Sequence, residues 1–383
     1  MINESARDTA ILIPSYKPDG KLAPYVEALA QAGFAKIVIV DDGSGADFRP
    51  VFDALPHTGQ VSVLHYEPNG GKGHALKTGF RFLQEECPAC RFIVTADSDG
   101  QHTVADTLRM ADALHEDGTG LLLGSRDFSG DDVPKRSRMG NRITTAVFHG
   151  LYGQRVEDTQ TGLRGFSREL LPRFSQTKGE RYEYEMNQLI ECAQHKIPIR
   201  ALTIQTVYEN NNEGSHFHPV RDSLRIYRCI LSGFFRFISA SMICFLADYG
   251  LYLLLNNLLK SWAPGLDHEF RFFFIKFVAR IGIATVAARI VSGVLNFFIN
   301  RSFVFQSSAR MGRTFVRYLG VFFLIMFLSA GLTSSMHIWL GWSDNLAKVP
   351  VDIALFFLSY YLQRRWVFVK AAPELNGKKE SAE

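Results

Sequence analysis

The stretch Arg91-Phe92-Ile93-Val94-Thr95-Ala96-Asp97-Ser98-Asp99-Gly100-Gln101-His102 joins an apolar run to two carboxylates one residue apart. A short apolar run bounded by polar residues predicts a buried parallel strand, and the acids fall where that strand ends. In open α/β sheets, ligands gather at the carboxyl ends of strands. Paired oxygen donors such as Asp97 and Asp99 suit Mg2+ or Mn2+, which in turn bind phosphate oxygens. Alone, the pair also fits an acidic turn that caps a helix at Thr103.

Outward from this stretch, strand and helix patterns alternate. Thr9–Pro14, Lys36–Val40, Val61–His65 and Leu121–Leu123 predict strands. Leu22–Ala32, Gly73–Gln84 and Thr103–His115 predict helices, the second with an apolar stripe at Ala75, Leu76, Gly79, Phe80 and Leu83. The interleaving predicts an α/β, doubly wound, mostly parallel sheet. Polar signals recur at the strand ends. Pro14-Ser15-Tyr16 follows the first strand, where Tyr16 would stack on a base. Asp41-Asp42-Gly43-Ser44 follows the second, where an acid accepts hydrogen bonds from base or ribose. Asn69-Gly70-Gly71-Lys72-Gly73 opens a helix whose N-terminus and backbone N–H groups favour an anion. It is not a Walker loop, because Leu76 stands before Lys77-Thr78 where a Gly is required. Gly124-Ser125-Arg126 ends the last strand. Each of these, taken singly, also reads as an ordinary turn or cap.

Their order is more specific than any one of them. Pro-x-Tyr, Asp-Asp-Gly-Ser, Asn-x-Gly-Lys-Gly, Asp-x-Asp-Gly-Gln-His and Gly-Ser-Arg follow one another along the chain. Asp158-Thr159-Gln160-Thr161-Gly162-Leu163-Arg164-Gly165-Phe166 and Tyr182-Glu183-Tyr184-Glu185-Met186 come after them. From Thr9 to Tyr208 this resembles the family-two inverting glycosyltransferases, above all the dolichyl- or polyprenyl-phosphate sugar synthases. The resemblance implies a GT-A fold that binds a nucleotide sugar. It assigns Asp41 and Asp42 to the nucleoside, and Asp97, Asp99 and Gln101 to a Mg2+ or Mn2+ ion. Pro14, Tyr16, Lys72, Ser98 and Arg164 join the nucleotide-binding set. Lys17 departs from the pattern, since the family commonly has Asn after the Tyr, and this bears on which base is bound.

The chemistry follows from such parts. The anomeric carbon loses a nucleoside diphosphate, and the metal with Lys72 or Arg126 neutralises the charge growing on it. A lipid monophosphate acceptor is already anionic and needs positioning more than a general base. Lys135-Arg136-Ser137-Arg138-Met139-Gly140-Asn141-Arg142 supplies cations, although such a run also fits a solvated helix face. The resemblance implies that Arg136 and Arg138 meet the acceptor, with Arg164 behind them. Asp99, Arg126, Arg136 and Arg138 are thus the expected catalytic set, and in-line displacement would invert the sugar. Bacterial members make undecaprenyl-phosphate sugars for envelope decoration, which implies a UDP-sugar donor and a hexose. The alternatives are a GDP-mannose-using mannose synthase, a transferase to a glycolipid or polymer with Glu183 or Asp158 as base, and a lipid-sugar flippase or binding protein with an accessory cytosolic lobe.

Composition divides the chain. Hydrophobic residues are 47% of the total, and the stretch from Gly233 to Val369 is mostly apolar and aromatic with few acids. Four stretches, Gly233–Leu259, Ile281–Ile299, Tyr318–Leu340 and Leu346–Leu362, approach the length that spans a bilayer. Arg221, Arg225 and Arg228 precede the first; Arg301, Arg310, Arg313 and Arg317 separate the second from the third; Arg364, Arg365 and Lys370 follow the fourth. Positive-inside counting then puts both chain ends in the cytosol, at the cytoplasmic membrane of a bacterium. The polar opening Met1 to Asp8 carries no signal peptide pattern. The expected domains are a cytosolic catalytic domain over 1–219, an interfacial helix over 220–232, a four-helix transmembrane domain over 233–370 and a cytosolic tail over 371–383. The interfacial helix is expected to lie on the anionic leaflet and hold the site against the bilayer.

The spans repeat. Asn296–Phe305 aligns with Ser359–Phe368, and Phe234–Phe237 with Phe315–Tyr318. Two duplicated hairpins suggest a small transporter-like bundle. Arg289-Ile290-Val291-Ser292 with Asn296, Asn300, Arg301 and Phe305 resembles the GtrA family, four-span proteins associated with handling polyprenyl-phosphate sugars. Mid-span Arg289 and Asp248 read equally as a structural pair or as a contact for a lipid phosphate. Gln363-Arg364-Arg365-Trp366 fits an interfacial anchor rather than the Gln-x-x-Arg-Trp element of processive synthases. With a net charge of only +4, nothing suggests a nucleic-acid partner, and none is expected. Cys87 and Cys90 lack the second pair that a zinc site needs, and His216 and His218 lack an acid cluster. The expected partners are the nucleotide sugar, the polyprenyl phosphate, the membrane and further copies of the chain.

Overall fold

The computed structural model describes residues 4–127, 135–205, 219–267, 269–272, 275–307, 309–340 and 344–368. The chain divides into two compact units, Met1–Ile230 and Leu231–Glu383. His216 and His218 lie outside the described residues.

Seven strands build one sheet in the first unit: β1 (Thr9–Ser15), β2 (Lys36–Asp42), β3 (Val61–Tyr66), β4 (Phe92–Thr95), β5 (Leu121–Arg126), β6 (Arg164–Ser167) and β7 (Ile199–Ile204). Their order is β3-β2-β1-β4-β6-β5-β7. β6 runs antiparallel between β4 and β5, and the other pairings are parallel. Helices α1 (Leu22–Gln31), α2 (Arg49–Asp53), α3 (Lys72–Glu86), α4 (Val104–Glu116), α5 (Lys135–Tyr152), α6 (Leu171–Ser175) and α7 (Glu183–Gln194) fill the connections.

Alternation along the central strands sorts their side chains onto two faces. Ala10, Leu12, Val38 and Val40 pack with Leu76, Phe80 and Leu83 of α3 and Leu189 of α7. Ile11, Ile13, Ile37 and Ile39 pack with Val26 and Leu29 of α1 and Met110 and Leu114 of α4. Covering both faces explains why these strands read as continuous apolar runs. Every strand and helix expected from the patterning forms. β6 and β7 were not expected, being four residues with mixed polarity and six that are mostly half-buried.

The expected interfacial segment over 220–232 forms the start of a longer helix, α8 (Pro219–Trp262). It runs 44 residues without a break. Its first turns pack part of their apolar surface on the protein, while Leu224 stays exposed. Ile226 and Ile230 enter the first unit's core beside Phe148 and Tyr152 of α5. Tyr152 Oη donates to the Ile230 carbonyl at 3.0 Å, and Tyr227 and Thr144 hydroxyls lie 3.3 Å apart.

In the second unit, α9 (Ala279–Ile299), α10 (Met311–Leu340) and α11 (Asp344–Leu362) follow a short hairpin of Glu269–Phe272 with Ile275–Val278. Three described stretches are long and apolar enough to cross a membrane: Arg221–Trp262, Ala279–Val304 and Met311–Ser329. α9 and α11 each end in a π-helical turn, Asn300–Val304 and Gln363–Val367. The internal repeat is therefore also a repeat of backbone form. Ring contacts follow it as well. Phe234 meets Tyr360 at 5.2 Å and 80°, and the equivalent Phe315 meets Phe297 at 5.1 Å and 83°. Asn300 Nδ2 donates to Gln363 Oε1 at 3.0 Å, and Phe305 stacks on Phe368, so equivalent residues pair with one another.

Candidate active site

Because β1, β2, β4 and β5 point the same way, their carboxyl ends share one edge of the sheet. Residue pairing sets Ser15 beside Asp41, and Thr95 beside Arg164. Tyr16, Asp41, Asp42, Asp97, Asp99 and Arg126 therefore collect along this edge, as the motif positions predict; Pro14 is buried within β1 itself.

The alternative of a helix cap is answered by Thr103. Its hydroxyl accepts the Asp106 N–H at 3.0 Å, so α4 is capped without help from Asp97 or Asp99. Asp99 Oδ1 accepts the Gln101 backbone N–H at 3.1 Å, which closes a tight turn. Ser98 sits between the two carboxylates in this turn.

Asp97 is held from three sides. Lys72 Nζ lies 2.7 Å from Asp97 Oδ1 and 2.8 Å from Glu185 Oε1. The buried His102 ring reaches within 3.6 Å of Asp97 Oδ2, and neither ring nitrogen has a hydrogen bond among the described residues. Gly162 forms the third side, since a Cβ there would stand 2.3 Å from Asp97 Oδ2. Burial by itself would raise the Asp97 carboxyl, yet the charge of Lys72 and the His102 contact hold it well below the usual carboxylate range. Burial also opposes the Lys72 charge, but Asp97 and Glu185 raise its ammonium above the usual lysine value. Asp99 shifts the other way, pushed up first by burial and then by the charge of Asp97. The charge of Asp97 raises the cost of ionising Asp99, and the two carboxylates are oxygen donors of the kind that fit Mg2+ or Mn2+. Among the described residues no cluster of three His, Cys, Asp or Glu side chains that could hold a metal ion is present.

The loop before α3 binds an anion, but not the expected one. Asp42 accepts from the Gly70 N–H at 2.7 Å, the Gly71 N–H at 2.9 Å, Asn69 Nδ2 at 2.9 Å and Tyr66 Oη at 2.6 Å. Its carboxylate is thus committed to shaping the loop that delivers Lys72 to the site. Gly71, at φ 99°, makes this turn available. Asp41 is less engaged, with Oδ1 accepting the Ser44 N–H and Oδ2 facing His65 Nδ1 at 3.0 Å.

Two arginines are held by partners within the protein. Arg126 grips Asp158 through Nε at 2.7 Å and Nη2 at 3.1 Å. Asp158 is fully buried in this grip and also accepts the Gln160 N–H, which rules it out as an open general base. Arg164 is 2% exposed and does not face an acceptor. It donates to the carbonyls of Thr161 and Glu185 and to Gln188 Oε1, tying α7 to the loop before β6. Glu183 Oε1 accepts the N–H groups of Glu180 and Arg181 at the start of α7, a turn-closing role.

On α5, Arg136 has its side chain outside the described residues, and Arg138 is half-buried. Asn141 anchors this helix by donating to the Glu157 carbonyl at 2.6 Å and accepting from Thr159. Cys87 and Cys90 are buried free thiols, the second pushed up to about 11 by burial, in keeping with an inert turn.

Glu185 was not singled out from its motif. Its signal was periodic: Glu185, Gln188, Leu189 and Cys192 share the buried stripe of α7, whereas Glu183 starts the helix.

Residues 10–174 match the family described as Glycosyl transferase family 2, and residues 236–368 match the GtrA/DPMS transmembrane domain. The UDP-N-acetylglucosamine--dolichyl-phosphate N-acetylglucosaminyltransferase of Methanococcus voltae is 28% identical over 217 residues, 52% of this chain and 85% of its own length. Glycosyltransferase AglJ of Haloferax volcanii is 28% identical over 227 residues, covering 57% and 70%. The dolichyl-phosphate hexose transferase of the same organism is 26% identical over 168 residues, covering 43% and 68%.

Proposed function

From the premise that this chain is a family 2 glycosyltransferase followed by a GtrA/DPMS transmembrane domain, we propose that it transfers a hexose from a nucleoside-diphosphate sugar to polyprenyl phosphate. UDP-sugar and undecaprenyl phosphate are the proposed substrates, and cell-envelope glycosylation the proposed use. The observation that carries this reading is the meeting of Asp97, Asp99, Lys72 and Glu185 at the carboxyl edge of the sheet. Two of the relatives are named for transfer to dolichyl phosphate, which supports the acceptor class.

In this mechanism Asp97, Asp99 and Gln101 would hold Mg2+ or Mn2+, which when bound supplies positive charge to the departing diphosphate. Tyr16 and Asp41 receive the nucleoside. Asp42 acts one step back, by setting the Asn69–Gly71 loop and hence Lys72. Lys72 keeps Asp97 ionised and adds its own charge beside the diphosphate. Arg126, fixed by Asp158, is a preorganised cation at the end of β5. Arg136 and Arg138 position the acceptor phosphate, whose oxygen attacks without a general base and inverts the anomeric carbon.

We further propose four spans, with α11 as the fourth and both chain ends in the cytosol of a cell with this protein in its inner membrane. The catalytic domain would occupy 1–219. The first turns of α8, with Ile226 and Ile230, belong to the core of the first unit.

The test uses the purified full chain with Mg2+ or Mn2+, a panel of nucleotide sugars and undecaprenyl phosphate, with product masses measured. A polyprenyl-phosphate monosaccharide that forms only with a divalent ion is the expected result. Transfer that persists in EDTA, or no lipid-linked product from any donor, would overturn the reading.

A further inference from the structure

The stretches that end α9, open α10 and end α11 gather cations without acids. From Asn296 to Tyr318 the chain carries Arg301, Arg310, Arg313 and Arg317, and from Ser359 to Lys370 it carries Arg364, Arg365 and Lys370; neither stretch holds an acid. Contacts of Phe315 with Phe297 and of Phe305 with Phe368 bring them to one end of the second unit. Arg301 spends its guanidinium on neutral groups, the Thr314 hydroxyl at 2.8 Å and the Ala309 carbonyl at 2.6 Å. Arg317 donates to the Trp366 carbonyl at 3.0 Å and lies 5.6 Å from the centre of its ring. Among the described residues neither Arg313 nor Arg317 meets a carboxylate.

Arg317 also belongs to a stripe. Arg313, Arg317, Gly320, Leu324 and Phe327 recur at helical spacing, which sets them on one face of α10. Leu324 is 45% exposed and Phe327 68%. Trp366 flanks the stripe, its ring 3.9 Å from where a Cβ on Gly320 would stand. From Arg317 to Phe327 the helix rises about 15 Å, half of a hydrocarbon core of about 30 Å. The face therefore passes from two guanidiniums, by an indole and a notch at Gly320, to apolar side chains one leaflet deep. A phospholipid has the same order of parts.

The repeat supplies a comparison within the chain. In the register that equates Phe234 with Phe315, the matching positions are Ser232, Arg236, Ser239, Ile243 and Leu246. Arg236 lies 5.6 Å from the ring centre of Phe303, the counterpart of Trp366. The first repeat thus keeps the arginine on a ring and the apolar tail, but has neither the second cation, the indole nor the notch.

We propose that α10 holds the phosphodiester headgroup of an anionic phospholipid at Arg313 and Arg317, with the Trp366 indole beside it and an acyl chain along Gly320, Leu324 and Phe327. Two guanidiniums match a headgroup of net negative charge. A zwitterionic headgroup brings its own ammonium, which they repel. The proposal rests on reading α10 as a membrane span and not on sugar transfer.

The full-length chain, stripped of lipid in detergent, is titrated with dioleoyl phosphatidylglycerol, dioleoyl phosphatidylcholine or undecaprenyl phosphate, and bound lipid is counted by native mass spectrometry. Phosphatidylglycerol should be retained about tenfold more tightly than phosphatidylcholine, whose chains are the same. Arg313→Gln or Arg317→Gln should abolish most of that preference, while Arg236→Gln should keep it. Gly320→Leu keeps every charge and favours the helix. It should lose retention without a lower melting temperature, which separates a filled notch from unfolding. Equal retention of the two phospholipids, or equal losses in Arg236→Gln and Arg317→Gln, would overturn the proposal in favour of diffuse attraction. Unchanged retention in Gly320→Leu would remove the chain from this face and the proposal with it. Tighter binding of undecaprenyl phosphate, lost in Arg317→Gln, would replace the phospholipid with the acceptor lipid. Displacement of phosphatidylglycerol by millimolar inorganic phosphate would reduce the site to one for free anions and sink the lipid reading.

Discussion

Lys72 Nζ bridges Asp97 and Glu185, 2.7 Å from one carboxylate and 2.8 Å from the other. The three groups come from the start of α3, the end of β4 and the first turn of α7, so one ammonium joins three elements around the site. All three side chains are largely withdrawn from water. Removing the cation strands two carboxylates, and losing one partner of a buried pair costs about 3 kcal/mol. Lys72→Met should lose about that much stability in denaturant melts of the metal-free protein, and millimolar Mn2+ should recover part of it. A loss below about 0.5 kcal/mol, the scale of an exposed pair, would mean the bridge is a surface contact.

Asp99 carries the opposite electrostatic burden. Burial, then the charge of Asp97, raises its carboxyl above the ordinary value, so its ionised form destabilises the folded chain. The penalty is absent below the ordinary aspartate value of about 3.9, appears as pH rises through the raised value, and is complete above it. Asp99→Asn should therefore raise the melting temperature of metal-free protein at pH 7, with the gain vanishing near pH 3. Sugar transfer should fall at least about 100-fold in the same variant. If the variant melts lower than the parent at pH 7, Asp99 is not under the strain described.

The resemblance read from the order of the motifs is borne out by the family match over residues 10–174. The α/β framework was legible because the central strands, buried on both faces, leave long apolar runs between polar turns. The site was legible by position and less so by role. Sequence spacing places Asp42, Arg126 and Arg164 at strand ends or beside them, but it does not say which hydrogen-bond partners reach them first. Asp42 meets backbone N–H groups 28 and 29 residues away, and Arg126 meets a carboxylate 32 residues away. Such long-range partners decide whether a polar group faces a ligand or the scaffold. The 44-residue α8 was read as two pieces because its arginines suggested a membrane surface. Ile226 and Ile230, one turn apart, were the sign of a protein-facing stripe.

Asp42 separates loop-setting from nucleoside contact. Exchanging its carboxylate for an amide sets an NH2 group against N–H donors that now point at oxygen. Asp42→Asn should cost about 2 kcal/mol of stability, and Tyr66→Phe, which removes one donor, about 1 kcal/mol. Asp41→Asn should leave stability nearer to the parent and chiefly raise the KM for the nucleotide sugar. Paired melts and donor titrations check this, and a reversed order, with Asp41→Asn the more destabilised, would return Asp42 to the nucleoside.

Lys17 departs from the family's Asn, and the backbone supplies the reason that position favours Asn. Its φ is 50°, in the left-handed region, where its N–H donates to Ser44 Oγ at 2.9 Å. A lysine held there costs about 1 kcal/mol, whereas Asn visits this region with less strain. The exposed Lys17 ammonium recovers some of that cost by sitting 5.4 Å from the Tyr16 ring centre. Lys17→Asn should therefore stabilise the protein by about 0.5 kcal/mol, read as a higher denaturant midpoint at unchanged slope. The variant should keep the same ranking of UDP- and GDP-sugars in a donor panel. A change in that ranking would show that position 17 selects the base and not only the turn.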